Sequence, residues 1–114
     1  MSLLSFNDET VMLSGRFRDP ERRLLFARAL LFENRIEFSG LTLSGRYFRQ
    51  LLLECVEHVE WRSGQAKRPN LIIRLRGGET LRVWMNAAGL WKYEIEKYVR
   101  SLSHLLPERA SKSG

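Results

Sequence analysis

The sequence holds one cysteine, three prolines and two histidines. One cysteine closes no internal disulfide, and Cys55 has no partner at zinc-type spacing. His58 and His104 lie far apart in the chain, and Cys55 has no neighbouring histidine to activate a thiolate. No glycine-rich phosphate loop opens a helix, since Gly77-Gly78 joins two strand-like runs. Apolar runs such as Leu30–Phe32 and Leu51–Leu53 are far too short to span a bilayer. Residues Met1–Asp8 lack the basic start and apolar core of a signal peptide. These absences predict a noncatalytic protein without metal or cofactor, placed in the cytoplasm and leaving open a peripheral attachment at the inner membrane surface. His58, Glu60 and Arg62 alternate along one strand, and a solvated set of cross-strand ion pairs is the simpler account of them than an acid–base cluster.

What the chain has in excess is positive charge, and the excess is uneven. The formal net charge is +6 over 114 residues. Residues 1–57 carry eight arginines and eight acids, which cancel, so the surplus belongs to the second half. Across residues 62–82, Arg62, Lys67, Arg68, Arg74, Arg76 and Arg82 face a single acid, Glu79. Such a cluster suits phosphate, an anionic membrane or an acidic protein, and equally serves to keep an exposed sheet face solvated.

At this length, with 44% hydrophobic residues, one domain is predicted. Residues 1–9 form an N-terminal segment, 10–106 the domain and 107–114 a polar tail. One stretch has helical periodicity. From Asn86 to Leu106, the residues Ala88, Trp91, Ile95, Tyr98, Val99, Leu102, Leu105 and Leu106 recur at steps of three and four on one stripe. Asn86 is placed as the N-cap, Pro107 as the stop, and Glu96 and Arg100 as an i,i+4 ion pair.

Everything before that helix alternates with period two. Thr10–Arg18 reads as a first strand, ended at Asp19-Pro20. Arg22–Gly40 reads as a hairpin with a two-residue primed turn at Glu33-Asn34. That register opposes Leu31 to Ile36, Ala29 to Phe38 and Ala27 to Gly40 on the inner face. It leaves Leu24, Phe26, Leu30 and Phe32 on the outer face, an apolar set that predicts cover by Leu3–Phe6 or a subunit contact. Gly45–Leu53 and Val56–Arg62 are further strands, the second with Val59 and Trp61 inward. For the last hairpin, Asn70–Met85, a two-residue loop would oppose Ile73 to Arg82. A three-residue loop, Arg76-Gly77-Gly78 with Gly78 left-handed, restores Ile73 against Leu81 and Leu71 against Val83, and leaves Arg74, Arg82 and Trp84 outside.

Seven strands followed by one amphipathic helix, with the runs VEHVEWRSG and NLIIRLRGGETLRVWM and the core-facing Trp91, resemble the pleckstrin homology superfold and its small bacterial PH-like and GRAM-like members. The resemblance implies a mainly β fold, a seven-stranded, bent antiparallel barrel plugged by a C-terminal helix. It also implies a binding or adaptor module. The family's inositol phosphate motif is incomplete, because Arg16 and Arg18 end the first strand but the second begins Arg22-Arg23-Leu24-Leu25. The residues themselves put the binding surface at Lys67, Arg68, Arg74, Arg82 and Trp84, for a protein partner first and an anionic membrane or phosphate ligand second. Leu24, Phe26, Leu30 and Phe32 form the second surface, with homo-oligomerisation as its use. Nonspecific nucleic-acid binding is the alternative the charge allows.

Overall fold

The computed structural model describes residues 10–63 and 68–105, the last three by backbone alone. Seven strands, β1 (Leu13–Arg18), β2 (Leu25–Leu31), β3 (Arg35–Thr42), β4 (Gly45–Leu52), β5 (Val56–Trp61), β6 (Leu71–Leu75) and β7 (Thr80–Met85), precede one helix, α1 (Ala88–Leu105). All pairings are antiparallel, in the order β4-β3-β2-β1-β7-β6-β5. The fold is mainly β, a bent, barrel-like sheet capped by a helix. None of the described helix is long and apolar enough to cross a membrane.

The bend is made at β1, which serves two neighbours in turn. Residues Leu13 to Arg16 pair with β2, and Phe17 and Arg18 pair with β7. Phe17 at the crossover is buried and meets the Phe38 ring edge-on, with centroids 5.0 Å apart. Among the described residues β4 and β5 are the end strands of the sheet, joined by a short 3₁₀ turn, Leu53–Cys55. The helix packs mainly on β5 and that turn, and more lightly on β6 and β7, so it covers the open seam. Its buried positions are Ala88, Trp91 and Ile95, with Tyr98, Val99 and Leu102 packed at the core's margin. Trp91 reaches across to β1, where a Cβ on Gly15 would lie 3.1 Å from the indole nitrogen. The cap therefore ties the two ends of the sheet to its middle.

Both hairpin registers follow from the parity of their side chains. Leu31 opposes Ile36 and Ala29 opposes Phe38; Ile73 opposes Leu81 and Leu71 opposes Val83 around a three-residue loop. Their turns differ in detail from expectation. Neither Glu33 nor Asn34 takes a positive φ; instead the Asn34 carbonyl accepts from the Leu53 amide at 2.9 Å and its side-chain oxygen from Arg35 at 2.9 Å, which hold an unprimed turn in place. In the second hairpin both Gly77 and Gly78 have positive φ, at 96° and 98°.

Four further expectations are corrected. Asn86 is not the first-turn cap: the helix begins at Ala88, and it is the preceding Ala87 whose carbonyl accepts from Leu90 and Trp91, while the Asn86 amide donates to the Arg16 carbonyl. Only Asn86 and Ala87 link Met85 to the helix, and the reversal is made by Ala87 at φ 58°. The Glu96–Arg100 pair is replaced by Lys92–Glu96 at 2.9 Å, because the acid is taken from the preceding turn. Trp61, opposite buried Leu71, is half exposed, lying over Gly89 at the start of the helix. Ala27 does not oppose Gly40, because β2 bulges between Leu25 and Arg28. At the bulge Phe26 has φ 54°. Gly40 permits it, since a Cβ there would sit 3.3 Å from the Leu25 carbonyl oxygen and the Leu24 Cβ.

Two stability predictions follow from the cap. Trp91→Ala should cost about 3–5 kcal/mol and Lys92→Ala under about 0.5 kcal/mol, compared in denaturant melts; equal losses would remove the helix from its structural role. Ala87→Gly should stabilise by about 0.5–1 kcal/mol, since a left-handed alanine carries a strain that glycine lacks. A lower melting temperature for Ala87→Gly would contradict that backbone assignment.

Candidate functional site

The outer face of β5–β7 is built of cross-strand rows. His58, Arg74 and Thr80 form one row, and Glu60, Ile72 and Arg82 the next. Asn70 anchors a third: its side chain donates to the Met85 carbonyl at 3.1 Å and accepts from the Met85 amide at 2.8 Å. This two-sided bond pins the start of β6 to the end of β7 and sets Trp84 in register. Arg74, Arg82, Arg68 and Arg62 are exposed. A cleft at the end of this face is lined by Arg62, Arg68, Arg82 and Ile72, so an apolar floor is ringed by guanidinium groups.

The electrostatics are one-sided. Glu60 is the acid in the rows, bound by Arg62 at 2.6 Å. That hydrogen bond, reinforced by the charges of Arg62, His58 and Arg74, holds the Glu60 carboxyl below the ordinary carboxylate range, so it stays ionised at neutral pH. Arg68, Arg74 and Arg82 form no ion pair among the described residues. Glu79 does not neutralise them. It pairs instead with Arg49, an inward-directed residue of edge strand β4, across the mouth of the barrel. Sequence reasoning missed this pair, because the partners are 30 residues apart and β4 shows no clear facing.

The first predicted surface is thus partly assembled. Arg74 and Arg82 share the face in adjacent rows, and Arg68 joins Arg82 at the cleft. Trp84 lies at the other end, half buried beside β1, with the Arg18 guanidinium 5.2 Å from its ring centre. Lys67 lies outside the described residues.

The second predicted surface does not exist as drawn. The bulge in β2 breaks the alternation, so Leu24 packs against the core. Phe32, at 8% exposure, is buried under the Arg35 guanidinium, 4.1 Å from its ring centre, in a hollow shared with Tyr98 and Leu102. Leu30 stays on the outer face, half buried between Ser14 and Glu37. Phe26 alone is fully offered to solvent, at 85% exposure. Its exposed apolar neighbours are Leu41 and Phe48, which share a shallow hollow with it.

No protein-family model matches the chain, and comparison with curated proteins and with solved structures finds no match.

Proposed function

We propose that the protein is a noncatalytic binding module of the PH-like kind, whose basic β5–β7 face engages an acidic protein partner. The observation that carries this reading is the exposure of Arg68, Arg74 and Arg82 on one face with no ion-pair partner among the described residues. Strand order β4-β3-β2-β1-β7-β6-β5 closed by a C-terminal helix supports the family likeness. The face offers guanidinium forks over an apolar floor, which favours planar carboxylates beside an aliphatic or aromatic side chain. His58, exposed and opposite Arg74, serves the same electrostatic surface.

An anionic bilayer is the second reading, favoured by the same charge. Each arginine would contribute about 1 kcal/mol near such a surface, so three or four give weak attachment that salt abolishes. Nonspecific nucleic-acid contact would share that salt sensitivity.

Pull-down and sedimentation with phosphatidylserine vesicles should be run in parallel on wild type, Arg74→Glu/Arg82→Glu and Trp84→Ala. For a protein partner, charge reversal should abolish capture at physiological salt, and the wild-type complex should outlast the vesicle attachment as salt rises. Unchanged binding in both variants would remove the function from this face.

A further inference from the structure

We propose that the fork between β1 and β2 is a docking groove for an acidic, extended polypeptide segment, with Arg16 and Arg28 clamping a carboxylate and Trp84 and Phe26 flanking it. This site lies apart from Arg74 and Arg82 and does not rest on their role.

The groove exists because β1 changes partner. Its ladder with β2 ends at Arg16 opposite Arg28, and from Phe17 onward β1 follows β7. The strands then diverge around a groove of about 1050 Å³, lined by Arg16, Arg18, Arg28, Leu24, Phe26 and Trp84. Among the described residues no acid contributes to its walls.

Three observations converge on an anionic occupant. Arg16 and Arg28 are directly opposed and both exposed, an arrangement in which like charges repel. Neither they nor Arg18 form an ion pair among the described residues, although Asp19 is the next residue along, bonded to Arg22 at 3.7 Å. At the lip stands Phe26, an 85% exposed aromatic in the left-handed region, where a bulky side chain is strained. Uncompensated repulsion and a strained aromatic share one groove, and neither contributes to the packing of the fold.

A carboxylate placed between the two guanidinium forks accepts hydrogen bonds from both and removes their repulsion. Arg18, stacked on Trp84, extends the positive wall, and the indole and the Phe26 ring offer apolar contact beside it. Charged and apolar positions in line match an extended chain, whose every second side chain points to one surface. The guanidinium groups line a concavity between the strands, a shape that admits an extended chain.

The test uses the full chain and a fluorescein-labelled peptide, Glu-Ser-Glu-Ser-Phe-Ser-Glu, with a lysine-for-glutamate version as control. Fluorescence anisotropy should show binding of the acidic peptide alone, weakened by about tenfold or more in Arg16→Gln and in Arg28→Gln, and unchanged in Lys92→Gln, a helix residue outside the groove; the Arg74→Glu/Arg82→Glu variant is measured beside them. Both glutamine variants should melt at or above the wild-type temperature, because each removes the repulsion; a residue with a merely structural role would lower it. Peptide binding that survives both glutamine variants, or that is lost only in the Arg74/Arg82 variant, overturns the groove, the latter while leaving the β5–β7 face intact. Vesicle binding that depends on Arg16 and Arg28, with no peptide binding, overturns it in favour of a lipid surface.

Discussion

The structure depends on one closure. A seven-stranded sheet that bends on itself at β1 leaves β4 and β5 without hydrogen-bonded neighbours on their outer sides among the described residues, and the interior between them must be shut by something apolar. The stripe of α1 supplies this, with Trp91 filling the centre and touching Gly15 on the strand that makes the bend. Seam and bend are thereby coupled: the strand that serves two neighbours is held by the same indole that closes the gap. The Arg49–Glu79 pair adds a polar tie at the mouth, joining β4 to the β6–β7 loop.

Much of this was legible in the sequence, because the responsible patterns are local and periodic. Period-two alternation and the opposition of Leu31 to Ile36 and Ile73 to Leu81 are set by the pleat, and a misplaced loop would have exposed a core residue. The helix stripe was equally plain. What escaped was decided at single residues by contacts distant in sequence. The bulge at Phe26 depends on space left by Gly40, on the neighbouring strand. Nothing in LLFARALLF marks where alternation breaks, so Leu24 reads as outward although it packs on the core, and Phe32 is covered by Arg35 in a hollow with Tyr98 and Leu102 that no strand pattern shows. The helix start falls one residue past the place Asn86 would cap, because Ala87 makes the reversal in a left-handed conformation that the sequence does not announce.

The candidate site was legible as a charge run and illegible as a surface. Counting residues from 62 to 82 placed Glu79 among the arginines, yet its carboxylate turns to Arg49, while Glu60, just outside that window, is the acid that sits in the rows. Trp84 was correctly set outside, but its environment comes from β1, through Arg18, and no reading of the β6–β7 hairpin could supply that. The first half of the chain is neutral in sum. In space its charges separate: the acids Asp19 and Glu37 are bound to Arg22 and Arg35, and Arg16, Arg18 and Arg28 are left together.

Net charge per segment is therefore a poor guide to potential in a sheet protein, where neighbours across strands matter more than neighbours in sequence. A β-face sums charges along rows, and each row draws one residue from every strand it crosses. Arg68, Arg74 and Arg82 thus gather on the β5–β7 face and Arg16, Arg18 and Arg28 at the β1–β2 fork, with the half-buried Trp84 between the two groups. Because Arg18 stacks on that indole, the two surfaces meet at a single cation–π contact. A partner long enough to lie along both would cross Trp84.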